Sequence, residues 1–144
     1  MLKFIDLPPV WLALFIAVAW GVSPGAAGAP WAQIGGLLVL AGIGLILWAA
    51  LVFARARTTI IPHRRASALV THGPFRLSRN PIYLADALIL AGLLLRWDLA
   101  WALPSVALLM WIIATRFIVA EEARLTQDFP EAFAAWSLKT RRWL

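Results

Sequence analysis

The sequence predicts an all-α integral membrane protein of about four transmembrane helices with a cytoplasmic loop and an amphipathic C-terminal helical tail, and three observations predict it. Hydrophobic residues make up 62% and charged residues 14% of the 144, against about 45–50% apolar residues in soluble domains, so a water-soluble fold lacks the polar residues to cover this chain. The apolar residues gather into four runs of near-spanning length, as expected at about 20 residues per crossing. The charges concentrate in one long connection and in the tail. Length allows a single domain, 1–144, divided into two N-terminal spans (1–54), a loop (55–80), a helical hairpin (81–120) and a tail (121–144).

The first run, Pro8 to Val22, reaches only about 22 Å as a helix, short of a hydrocarbon core of about 30 Å, and is expected to extend upstream through Phe4 and Ile5. A signal peptide is the rival reading, since Lys3 precedes the run and Ala27-Gly28-Ala29 has a small-x-small form. Pro30 directly after such a cut and Asp6 before the run argue against it. The second run, Ala29 to Ala54, carries no charge. Its glycines Gly35, Gly36, Gly42 and Gly44 read as packing surface, because small residues let membrane helices approach closely.

The third run, Pro81 to Leu95, and the fourth, Leu99 to Ala120, are separated only by Arg96-Trp97-Asp98, the length of a turn between antiparallel helices. Proline at the first turn of the third helix costs nothing, whereas Pro104 near the start of the fourth is expected to bend it. Beyond Ala120, Leu125, Phe129 and Phe133 recur every four residues among polar neighbours, with Trp136 adjoining the stripe, so the tail is an amphipathic helix. Pro130 is expected to interrupt it and start a second short helix. The tail should lie against the loop or in the membrane interface, with Trp143 near the headgroups.

Of 13 basic residues, six (Arg55, Arg57, Arg64, Arg65, Arg76, Arg79) lie in the Arg55–Arg79 connection, which holds no acid. Lys3 and the five basic residues from Arg116 onward fall on the same side, and the hairpin turn holds only Arg96. By the positive-inside rule the loop and both termini are cytoplasmic. The net charge of +6 is then explained by topology and anionic lipid contact, and nucleic-acid binding loses its support. The absence of cysteine excludes disulfides, thiolate metal sites and thiol nucleophiles. Two histidines, His63 and His72, are too few for a histidine metal site, so no metal is expected. The sequence does not fix the oligomeric state.

Three features carry chemistry. The loop is far longer than the roughly 2–8 residues that join helices, and Gly73-Pro74 and Asn80-Pro81 force turns or extended backbone while Arg76 and Arg79 flank one place. Glu121-Glu122 sits at the end of the fourth run, where acids oppose the macrodipole unless the helix continues; a solvated face with a Glu121–Arg124 pair is the alternative. Asp86 lies inside the third run, one turn beyond Tyr83, at a depth where an ionisable group faces a partner or a cavity. Pairing with Arg116 and a role beside substrate are both open for it.

The run Leu69-Val70-Thr71-x-Gly73-Pro74-Phe75, followed by Ser78-Arg79-Asn80-Pro81-x-Tyr83, then Glu121-Glu122-x-x-Leu125 and Phe133 with Arg141-Arg142-Trp143, resembles the membrane methyltransferases grouped as isoprenylcysteine carboxyl methyltransferases and phospholipid methyltransferases. The resemblance runs from Thr58 to the C-terminus. It implies an S-adenosylmethionine site at the cytoplasmic face, closed over by loop and tail, and held by Leu69, Val70, Gly73, Phe75, Arg79, Asn80, Pro81, Ile82, Tyr83 and Glu121. A cationic donor wants a carboxylate for its ammonium and an apolar or aromatic wall for its adenine, roles open to Glu121 and Phe75. On the substrate side the residues are Glu122, Asp86 and Arg116; an amine acceptor must lose a proton, which Asp86 or Glu122 would take. In the prenylcysteine enzymes an arginine stands one turn before the first Glu. Here Phe117 occupies that position with arginine displaced to Arg116, which puts a prenylcysteine substrate in doubt.

The resulting expectation is an S-adenosylmethionine-dependent methyltransferase of the bacterial inner membrane, with membrane lipids around it and a lipid, prenylated or small hydrophobic acceptor. A small non-enzymatic four-helix protein such as a transporter, and a family member that binds lipid without catalysis, are the alternatives.

Overall fold

The structure, a computed structural model, describes residues 7–28, 30–56 and 68–144. Phe4, Ile5, His63, Arg64 and Arg65 lie outside the described residues. Among those described the chain is all helical: α1 (Pro8–Val22), α2 (Trp31–Arg55), α3 (Pro81–Arg96), α4 (Pro104–Ile113), α5 (Val119–Asp128) and α6 (Pro130–Lys139), with 3-10 turns at Gly73–Arg76 and Ala100–Ala102. A π-helical segment, Ala114–Ile118, joins α4 to α5 in one continuous rod.

Two helices are long and apolar enough to cross a membrane, Trp31–Arg55 and the continuous Ala100–Asp128; Pro8–Val22 is a shorter apolar helix. At 16 residues, α3 is also short, about 24 Å at the α-helical rise. The wide lipid-facing look of α2 follows from its sequence, with Leu37, Leu40, Leu47 and Leu51 exposed.

Helix α3 is the centre, packed against α2 on one side and against α1 and α4 on the other. The α2 contact is made by small residues seven apart, Gly35 meeting Gly92 and Gly42 meeting Ala85 of α3. A Cβ placed on Gly92 would stand 2.5 Å from the Gly35 carbonyl oxygen, and one on Gly42 would stand 2.9 Å from the Ala85 carbonyl oxygen. The two backbones therefore touch, which is how apolar helices gain association energy where no hydrophobic drive separates them from lipid. Gly44 has open space around it, so only part of the glycine set packs.

At the hairpin end, the connection between α1 and α2 is tied to the turn after α3. The Ala27 N–H donates to the Arg96 carbonyl (2.7 Å) and the Ser23 hydroxyl to the Trp97 carbonyl (3.2 Å), with Trp20 edge-on to Trp97. The opposite end carries the Gly73–Asn80 segment and the tail.

Proline begins four of the helices, at Pro8, Pro81, Pro104 and Pro130, as a residue with a preset φ and no N–H should. Pro104 thus starts α4 after a 3-10 turn and does not bend it. The irregularity lies ten residues later, in the π segment. There the Thr115 hydroxyl donates to the carbonyls of Trp111 (2.9 Å) and Ile112 (3.2 Å), a side-chain competitor for the ladder that bends helices.

Candidate functional site

The loop end is organised by Gly73, whose φ of +63° is a left-handed conformation that glycine adopts at little cost. A Cβ there would stand 2.9 Å from Val52 Cγ2, so the turn is also pressed against α2. This turn buries Phe75, whose ring meets Phe53 edge-on at 5.0 Å between centroids. Leu69, Val70, Phe75 and Ile82 join one apolar cluster with Ala49 and Val52 of α2 and Phe133 and Trp136 of α6. The buried Trp136 Nε1–H donates to the Phe75 carbonyl at 3.0 Å, so the tail is fixed to the turn by both apolar contact and a hydrogen bond.

Beyond the turn, the last residues of the chain strap across Ser78–Asn80. The Arg142 carbonyl accepts from the Ser78 hydroxyl (3.1 Å) and from Asn80 Nδ2 (3.0 Å), and the Arg141 carbonyl accepts from the Arg79 N–H (2.9 Å). Glu122 closes the strap from α5. One of its oxygens meets the Arg79 guanidinium at 3.1 Å, and the other meets Arg142 at 2.6 Å. Its hydrogen bond with Arg142 raises the pKa of that guanidinium further above its ordinary value. Arg79 also reaches the Ser137 carbonyl at 3.4 Å and lies over the Phe133 ring, while its Nε is buried with no hydrogen-bond partner among the described residues. A carboxylate held between two guanidinium groups has both oxygens engaged in charge-assisted contacts. The geometry gives Glu122 the part of a clamp.

Its neighbour Glu121 faces elsewhere. The Tyr83 hydroxyl donates to Glu121 Oε1 at 2.8 Å across 38 residues of sequence, joining the first turn of α3 to the first turn of α5. The π segment immediately before α5 buries Phe117 and Ile118, and Trp143 packs against the cluster that holds Tyr83 and Phe117. Single π turns inside α-helices occur often at functional sites. Here the segment sits directly before the two adjacent carboxylates, one of which joins the clamp while the other pairs with Tyr83.

Asp86 is buried in α3, one turn beyond Tyr83, and makes no side-chain hydrogen bond or ion pair among the described residues. Arg116 is not brought to it. Its guanidinium lies over the Trp11 ring of α1, 5.4 Å from the centroid. Leu69, Val70, Phe75 and Ile82 thus form one wall, Tyr83 and Glu121 a polar pair beside it, and Arg79 and Asn80 the floor of the strap. Ser78 and Arg142, quoted in the resembling motifs but given no role of their own there, take part in the strap; Ser78 is fully buried, and its place beside the Asn-Pro turn is the signal for a side-chain role.

A cationic methyl donor would find in Glu121 a carboxylate bonded to the Tyr83 hydroxyl and not clamped between two guanidinium groups as Glu122 is, beside the apolar cluster of the loop and α6. The sequence profile of the phospholipid methyltransferase family matches residues 31–132. The chain belongs to the phospholipid methyltransferase family. The matched region takes in α2, the Gly73–Tyr83 segment, α3, the π segment and Glu121-Glu122, which are the elements assembled above. No curated protein and no solved structure matches the chain. Membership in this family makes the chain a membrane-associated methyltransferase type with lipid-like acceptors, and the sequence resemblance is borne out at that level.

Proposed function

We propose that this phospholipid methyltransferase family member uses S-adenosylmethionine to methylate a lipophilic acceptor at the cytoplasmic face of the bacterial inner membrane. The observation that carries the reading is the Tyr83–Glu121 hydrogen bond, which draws two separate motifs to one point under the tail. Four spans, with α1 and α3 thin and both termini cytoplasmic, complete the reading. Its support is that, among the described residues, Arg96 is the one basic residue beside the tied connections at Ala27 and Trp97, and the other eight lie toward the loop and tail.

When bound, the donor supplies a methyl carbon already activated by its sulfonium. The chain's own residues have the tasks of binding, orienting and excluding water. Glu121 would receive the donor's ammonium, with Tyr83 fixing the carboxylate's orientation. Leu69, Val70, Phe75 and Ile82 would line its apolar part, while Arg79, Asn80, Pro81 and Gly73 shape the backbone that holds the tail closed. Asp86 would take the proton from an amine acceptor, and Arg116 stands on the substrate side.

Calorimetry of the purified protein with S-adenosylhomocysteine tests the reading. Saturable binding that Glu121→Ala weakens strongly is the expected result, and no binding at millimolar ligand would sink it.

A further inference from the structure

A cavity lies away from the Tyr83–Glu121 pair, toward the hairpin end. It has a volume of about 370 Å³ and is lined by Leu14, Phe15, Val18 and Ala19 of α1 together with Leu94, Trp101 and Ala102, among others. Ser105 is its one hydroxyl-bearing residue. A cavity so lined is dry and, Ser105 apart, presents apolar side chains. Leu14, Val18 and Trp101 are at the same time among the most exposed large apolar residues, at 53%, 59% and 73%, so the mouth opens sideways to the hydrocarbon around the helices.

Its depth is what assigns an occupant. Leu94 at the cavity is eleven residues beyond Tyr83 on α3, which places it about 16 Å along the helix axis, past the middle of a hydrocarbon core of about 30 Å. A lipid whose headgroup reaches the Tyr83–Glu121 pair has its chains running beside α1 and α4, and the end of a long chain arrives at this level. Ala19 and Ala102 are the smallest residues of its lining.

We infer that this cavity receives the terminal segment of an acyl chain of the methyl acceptor and so selects acceptors by chain length. The inference rests on the proposed lipid-methylating reading and adds a specificity pocket to it. Ala19 and Ala102 set the floor; Val18 and Trp101 form the lip. Filling the floor shortens the chain that fits, without touching the polar pair.

Photolabelling of the full chain in nanodiscs tests this directly. The probes are two phosphatidylethanolamines, one with a diazirine at the end of an acyl chain and one with it beside the ester carbonyl. The expected result is saturable labelling of 14–22 and 101–105 by the chain-end probe, at least fivefold above the carbonyl-side probe. Ala102→Phe, and independently Ser105→Phe at the edge, should reduce that labelling at least fivefold and move methyl transfer toward acceptors with shorter chains. Chain-end labelling spread equally over the exposed face of α2 at Leu37, Leu40 and Leu47 would overturn the inference. Stronger labelling by the carbonyl-side probe would also overturn it, since the occupant would then be a lipid of the opposite leaflet. Methyl transfer to lipid without cavity labelling removes the pocket alone, whereas cavity labelling without any methyl transfer removes the reading on which the pocket rests.

Discussion

Glu122→Gln isolates the clamp, because the substitution keeps the side chain's shape and removes its charge. The Glu122 and Arg79 side chains are 18% and 16% exposed, and Arg142 is 39% exposed. The inner pair is therefore worth about 2 kcal/mol, as for hydrogen bonds to charged groups, while the outer pair is screened and worth about 1 kcal/mol. Removing both costs the docked tail about 3 kcal/mol, or roughly a hundredfold in the closed-to-open ratio. The Arg79 amide, which donates to the Arg141 carbonyl, reports that opening. Its hydrogen exchange should accelerate about a hundredfold in Glu122→Gln, while amides in the middle of α3 keep their protection. Glu131→Gln, at an exposed position of α6, should leave the Arg79 amide unchanged. Acceleration of less than threefold would refute the reasoning, since the strap would then be held by Trp136 and the apolar cluster alone.

Three further outcomes follow from the same geometry. Tyr83→Phe removes the donor to Glu121 and should weaken S-adenosylhomocysteine binding about tenfold, the cost of about one hydrogen bond to a charged group; calorimetry with unchanged affinity would separate the pair from the donor site. Gly92→Ala pushes a methyl group into the Gly35 backbone and should cost about 1–3 kcal/mol as overpacking, whereas Gly44→Ala, in open space, should leave the melting temperature in detergent no lower. Asp86→Asn should lower the turnover number by about 10²–10⁴ for an amine acceptor, the range of general-base effects, with S-adenosylhomocysteine affinity intact; loss of affinity with equal turnover would mark Asp86 as a structural residue.

What the sequence made readable was local. The charge-free stretch that became α2, the prolines that open α3 and α6, and the amphipathic stripe after Ala120 each announce themselves within a few residues, since period and capping are short-range properties. The two-motif pattern likewise pointed to one site, because Gly73-Pro74 and Asn80-Pro81 demand a shaped backbone wherever they occur. The partnerships were not readable. Glu121 and Glu122 are chemically identical neighbours, and only the fold assigns one to Tyr83 and the other to Arg79 and Arg142. Arg116 looked able to reach Asp86 on spacing, yet it lies over Trp11 of a different helix. The π segment was hidden for another reason. Thr115 is an ordinary helix residue in sequence, and its hydroxyl's competition for the Trp111 carbonyl appears only once the helix exists. Pro104 drew attention instead, although a proline at a first helical turn disturbs nothing.

The central claim is methyl transfer to a lipophilic acceptor at the Tyr83–Glu121 pair. Incubation of the reconstituted protein with radiolabelled S-adenosylmethionine and total membrane lipids, followed by chromatographic separation, tests it most directly. The account predicts label in a lipid-soluble species, lost in Glu121→Gln and retained in Glu131→Gln. Absence of labelled lipid from a folded protein that binds S-adenosylhomocysteine, or label that persists undiminished in Glu121→Gln, would contradict it.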